Sequence, residues 1–207
     1  MQPKTRHAGS VNLRVMTVCA MLSAVSAVLM FLDFPLPIFP SFLKFDFSDL
    51  PALIGAFSFG PIAGIAIELI KNVFHLLRTS TGGIGELANF VVGCALVVPA
   101  GLVYQRRKSR SGAVIGIVVG IVVMAVGAAF MNFFVLLPFF AQFFAKSVDE
   151  GIAAIVQMCA KLIPAVDSKF DVVLLSVVPF NLMKGVVICL MTFLLYKHLS
   201  RLIHGRK

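Results

Sequence analysis

Asn181 and Lys184 stand three residues apart in Pro179-Phe180-Asn181-Leu182-Met183-Lys184-Gly185, inside a stretch that is otherwise soluble in oil. At that spacing both side chains leave one face of a helix. A carboxamide and an ammonium are costly in hydrocarbon unless polar partners meet them. The pair therefore reads as a site for a polar or amphipathic small molecule, with a polar clamp between helices as the alternative. Gly185 leaves room for another group to come close, and Pro179 disturbs the backbone ladder and frees a carbonyl. Asn132, in Met131-Asn132-Phe133-Phe134, presents a donor and an acceptor on one edge, which matches an imide or lactam, or else it packs between helices. Its flanking phenylalanines could stack on a flat ring.

Two more polar groups interrupt apolar runs. Glu68, Lys71, Asn72 and His75 fall on one helical stripe, and Glu86 and Asn89 are again three apart. They form a seam that either touches a ligand or supports the pocket as a hydrogen-bonded network, Glu68 and Lys71 neutralising each other. The third group is Leu43-Lys44-Phe45-Asp46-Phe47. Its alternating rings and charges can cap a pocket, or anchor the segment at a membrane interface.

The elements that position these residues are membrane helices. The chain has 207 residues, 59% hydrophobic and 13% charged, with mean hydropathy +1.00, against about 25% charged in ordinary soluble domains. The apolar runs are continuous rather than alternating, which argues for a polytopic helical protein over a β-barrel. No polar stretch is long enough for a separate soluble domain, so residues 1–207 read as a single membrane domain. The formal charge of +9 sits mostly at helix ends, as cytoplasmic anchors, and does not indicate nucleic acid. Four scattered cysteines and four histidines lack disulfide or metal-ligand spacing.

Spans are expected at about 11–32, 49–60, 61–77, 84–104, 112–140 and 172–199, with a weaker helix at about 149–163. The first run is too long for a signal-peptide core and reads as an uncleaved helix. Ser48 or Asp49, ahead of Pro51, is the expected cap of the second helix. That helix is short, about 16 Å. Residues 49–77 are split at Gly60-Pro61 because the basic N-terminus, Arg106–Arg110 and the tail from Arg201 should share the cytoplasmic side, which needs an even number of crossings. Residues 33–48, 78–83 and 141–171 then face outward. Ala20 and Ala24, with Ser23 and Ala27 nearly on the same face, allow close helix approach, within this chain or to a partner. There is no phosphate-binding Gly-x-x-x-x-Gly-Lys-Ser/Thr loop and no hydrolase or metalloprotease signature, so the chain neither hydrolyses ATP by that route nor reads as an enzyme.

The strings Leu43-Lys44-Phe45-Asp46-Phe47-Ser48-Asp49-Leu50-Pro51, Gly60-Pro61, Lys71-Asn72, Thr81-Gly82-Gly83-Ile84-Gly85-Glu86, Asn89-Phe90, Asn132-Phe133, Pro138 and Pro179 to Gly185 resemble the riboflavin-specific S components of energy-coupling factor transporters. The resemblance runs from about Ala20 to Gly185. It implies a six-helix all-α membrane fold with both termini cytoplasmic, in the plasma membrane of a prokaryote. It also implies a riboflavin site near the outer face, under the loop that follows the first helix. In the family two Asn and one Lys hydrogen-bond the flavin, matched here by Asn132, Asn181 and Lys184. Leu43, Lys44, Phe45, Asp46, Asn72, Glu86 and Asn89 complete the expected ligand-binding set. Ala20 and Ala24 match the face that meets the transmembrane coupling subunit, and two ATPase subunits complete the importer. The S component is thought to topple in the bilayer to release its vitamin. No cofactor or metal is implied. Where the family often has Tyr after Asn132 and Pro138, this chain has Phe133 and Phe139, so those hydroxyls are absent.

Other readings are an S component for another vitamin, thiamine or a folate-like compound, a membrane-embedded transferase, or an assembly subunit without a ligand. Thiamine, a cation, would want a carboxylate, and Glu68 and Glu86 are the candidates within the spans. A transferase would place carboxylates or histidines on cytoplasmic helix ends, and those ends are basic. An assembly subunit leaves Asn132, Asn181 and Lys184 unexplained.

Overall fold

The computed structural model describes residues 13–204. Val11 and Asn12 of the first expected span, the basic Lys4 and Arg6, and the last three residues of the tail lie outside the described residues. The described chain is nearly all helix. Helix α1 (Leu13–Phe31) leads into a loop pinned by a two-residue antiparallel ladder, β1 (Phe34–Pro35) with β2 (Lys44–Phe45). Then come α2 (Asp49–Phe59), α3 (Pro61–His75), a single 3₁₀ turn, α4 (Ile84–Arg106) and α5 (Arg110–Met131). A π-turn at Asn132–Leu136 runs into α6 (Leu137–Phe144), and α7 (Val148–Ala160) packs back on α6. The chain closes with α8 (Lys169–Val172), a second π-turn at Val173–Val177 and α9 (Val178–His204). Among the described residues four stretches are long and apolar enough to cross a bilayer, Leu13–Phe31, Ile84–Arg106, Arg110–Phe143 and Lys169–Leu195, and Asp49–Phe59 is a shorter apolar helix.

Residues 49–75 form a tight helical hairpin. Gly60 turns the chain with φ 102°, a left-handed value that glycine adopts without penalty, and Pro61 begins α3. The two helices fold back closely: a Cβ on Gly64 would lie 2.9 Å from that of Ala56. The hinge rests beside Gln105, and Phe57 packs on Tyr104 at 4.9 Å. Gly60 and the end of α4 therefore share one end of the bundle, opposite the loops 32–48 and 79–83. The core between them is aliphatic, with Leu53, Ile54, Ile67, Leu96, Val97, Ile117, Met124 and Ile188 all buried.

Several local expectations are corrected. The fifth apolar run does not stop near Phe140 but continues to Phe144 through its π-turn. Each π-turn ends two residues before a proline, Pro138 or Pro179. A proline ring collides with the carbonyl four residues back, and the wider turn relieves that collision. Pro179 therefore yields a π-turn, with Val178 N donating to Val173 O. Ser48 stands at the N-cap position of α2 but makes no capping bond; its hydroxyl accepts from Lys71 Nζ at 2.9 Å. On α1 the small residues divide between two faces: Ser23 and Ala27 are buried, whereas Ala20 and Ala24 are exposed. The group that Gly185 admits is α5 itself, since a Cβ there would sit 2.8 Å from Ile121.

Candidate functional site

A cavity of about 310 Å³ opens at the loop end of the bundle, between the 32–48 loop, the start of α4, the first π-turn and α9. Small-molecule sites occupy about 300–1,000 Å³, so it suits one compact ligand. Leu43, Lys44, Asp46, Glu86, Asn89, Asn132, Asn181 and Lys184 all line it. Phe45 and Asn72 do not. Phe45 is the inward residue of its strand and packs under the loop, 5.7 Å from Phe34 and 5.1 Å from Phe47 between ring centroids. Asn72 is buried on α3, donates to Glu68 O at 2.8 Å, and borders a separate groove of about 160 Å³.

Asn132 and Asn181 reach the cavity from different spans by the same device. Each carboxamide nitrogen donates to the carbonyl four residues back, Asn132 to Ala128 at 2.9 Å and Asn181 to Val177 at 2.8 Å. That bond fixes the rotamer and leaves one N–H and the carbonyl oxygen of each side chain without a partner among the described residues. Asn89 adds a buried Oδ1 that is likewise unpartnered. The walls are aromatic, with Phe42, Phe140 and Phe180. Phe39 meets Phe180 edge-on at 5.3 Å and ties the loop to α9. The phenylalanines expected to flank Asn132 turn away: Phe133 lies under Lys169 Nζ at 4.2 Å, and Phe134 is exposed.

Every basic side chain lining the cavity faces an acid. Lys184 Nζ lies 3.0 Å from Asp46 Oδ2 and 2.9 Å from Asp49 Oδ2. Lys44 pairs with Asp33 at 2.8 Å, and His75 Nδ1 lies 3.0 Å from Glu86 Oε1. Glu86 also accepts from the hydroxyls of Thr79 at 3.0 Å and Thr81 at 3.1 Å. It thereby organises the loop before α4, and a structural task joins its place on the cavity wall. Behind Lys184 runs a charged chain with no access to solvent. Lys71 and Glu68 are both 0% exposed and lie 2.8 Å apart, and Lys71 also pairs with Asp49. Burying charges this deeply is tolerable only when each is paired.

The sequence reading missed several residues of this site. Asp33, Phe42, Thr81, Phe140 and Phe180 line the cavity, and Asp49 is expected from the sequence only as a helix start, whereas His75, expected in the polar seam, lines the cavity too. One signal for Asp49 was present: in a hairpin folded at Gly60, it and Lys71 are equidistant from the turn.

A family profile described as "ECF transporter, substrate-specific component" matches residues 14–196. The chain is 32% identical over 189 residues to riboflavin transporter RibU of Staphylococcus aureus (strain TCH60), covering 91% of each protein. It is 31% identical over 188 residues to riboflavin transporter FmnP of Bacillus subtilis (strain 168), covering 89% of this chain and 91% of that one. A solved structure reported as the S component of a bacterial ECF transporter superposes with a TM-score of 0.71 at 30% identity, over 94% of this chain and 100% of the other.

Proposed function

The chain belongs to the substrate-specific components of ECF transporters, and from that premise we propose that it captures riboflavin at the outer face of a prokaryotic plasma membrane for an ATP-driven importer. The family supplies transporter subunits rather than enzymes. The observation that carries the choice of ligand is the convergence of Asn132, Asn181 and Lys184, from two separate spans, on one aromatic-walled cavity. The free donor and acceptor of each carboxamide suit the alternating carbonyl and N–H groups of the flavin imide. Phe42, Phe140 and Phe180 suit the flat ring. Asn89, Lys44 and the loop backbone suit the polyol.

The charge balance supports a neutral ligand. The cations on the cavity wall are already neutralised, and of the two carboxylates that a thiamine reading needs, Glu68 is off the cavity and Glu86 is engaged by His75 and two threonines. Relatives named as riboflavin transporters at 32% and 31% identity support the same choice.

In the membrane, the basic segments favour six crossings with both termini cytoplasmic: α1, α2, α3, α4, α5 with α6, and α8 with α9. The cavity then faces outward, with residues 33–48 as its lid. Ala20 and Ala24, exposed on α1, form the face for the transmembrane coupling subunit, and two ATPase subunits supply the energy. The test is equilibrium titration of the purified chain with riboflavin, followed by the loss of flavin fluorescence, with thiamine and folate as competitors. Saturable quenching at one flavin per chain, unaffected by the competitors, is expected; displacement by either competitor would reassign the ligand.

A further inference from the structure

We infer that Asp49, which does not line the cavity, is a positioning residue that aims a single N–H of Lys184 at the ligand. This rests on the riboflavin reading of the cavity. An ammonium carries three N–H donors. At Lys184 the ammonium donates to Asp46 Oδ2 at 3.0 Å and is ion-paired with Asp49 Oδ2 at 2.9 Å, so two carboxylates hold it. One direction remains for an atom in the cavity that Lys184 lines. A lysine on its flexible stem does not by itself fix its donors in space; here two carboxylates do so.

Asp49 is itself unable to swing. Its other oxygen is held by Lys71, which also donates to Ser48 Oγ at 2.9 Å and pairs with Glu68 at 2.8 Å. The Gly60 hairpin brings α2 and α3 together to make this chain of contacts. Lys184 is thus neutralised before any ligand arrives. It acts as a directed donor to an uncharged carbonyl or hydroxyl oxygen rather than as a counter-ion. Asp49 sets that direction from outside the pocket.

The test is a double-mutant cycle on the full chain, read by flavin fluorescence titration, with unliganded thermal unfolding as a control for folding. Asp49→Asn leaves two carboxylates, Asp46 and Glu68, against two ammoniums, Lys71 and Lys184, where the wild-type cluster has three against two, so each lysine keeps one acid. Asp49→Glu keeps the charge but displaces the carboxylate by one methylene. Each is expected to weaken riboflavin binding by about 10- to 100-fold, the scale of a misdirected charge-assisted hydrogen bond. In a Lys184→Met background, Asp49→Asn should change affinity by less than about twofold, because its effect passes through Lys184. Should Asp49→Asn fail to fold, Asp49→Glu decides alone. An Asp49→Glu protein that binds like wild type, or single effects that multiply in the double variant, would overturn the assignment. A wild-type chain that fails to quench flavin would instead overturn the riboflavin reading, so the two failures are told apart.

Discussion

Asp49 and Lys71, at equal sequence distance on either side of Gly60, meet as a buried ion pair where α2 folds back on α3. Lys71 is shared, since it also neutralises Glu68. Lys71→Met would leave Glu68 buried without a cation. Stranding one partner of a buried pair costs about 3–5 kcal/mol. Unliganded thermal and denaturant unfolding in detergent should show a loss of that size, and a loss below about 1 kcal/mol would mean the pair does not hold the hairpin.

Asn132 and Asn181 should separate binding from folding. Each spends one donor on its own helix and keeps the rest for the cavity. Asn132→Ala and Asn181→Ala should each weaken riboflavin binding by about 1–3 kcal/mol, the cost of leaving a buried polar group of the ligand unpaired. Unliganded stability should fall by only about 1 kcal/mol, since the lost bond is local. Calorimetric titration beside thermal unfolding measures both.

The Asp33–Lys44 pair clasps the loop over the cavity, and the Lys44 side chain is 53% exposed. Exposed pairs contribute about 0–1 kcal/mol. Asp33→Asn should therefore lower affinity by less than about fivefold, with a faster release rate, and that difference should shrink as salt screens the pair. Stopped-flow release of flavin at two ionic strengths checks this. A much larger effect would show that the clasp, rather than the aromatic contacts, closes the site.

Ala24 faces outward from α1. Ala24→Leu adds bulk to the proposed face for the coupling subunit without reaching the cavity. Riboflavin affinity of the isolated chain should stay within about twofold of wild type, while co-purification with the coupling subunit and flavin uptake are lost. Uptake at wild-type rate would remove this face from the proposed interface.

How much of this was legible in the sequence follows from its periodicity. The long apolar runs gave the spanning helices because length and hydropathy are local properties. Gly60-Pro61 gave the hairpin because a left-handed glycine followed by a proline is a local instruction. The spacing of Asn181 and Lys184 put both on one face, and that face lines the cavity. What failed was long-range or geometric. The Asp46–Lys184 pair joins residues 138 positions apart, and no periodicity connects them. Phe45 and Asn72 carry the right chemistry on the wrong side of their elements. The π-turns before Pro138 and Pro179 escaped because the sequence shows that a proline disturbs the ladder but not that a wider turn absorbs the disturbance. Gly185 reads as room for another group, and only the fold shows that this group is Ile121 of α5.

The most direct test of the account is riboflavin titration of the purified chain beside its Asn132→Ala, Asn181→Ala and Lys184→Ala variants, each shown to be folded. Saturable quenching by the wild-type chain, weakened about 5- to 150-fold in each variant, is the predicted result. A wild-type chain that leaves flavin fluorescence unchanged, or three variants that bind as tightly as wild type, would contradict it.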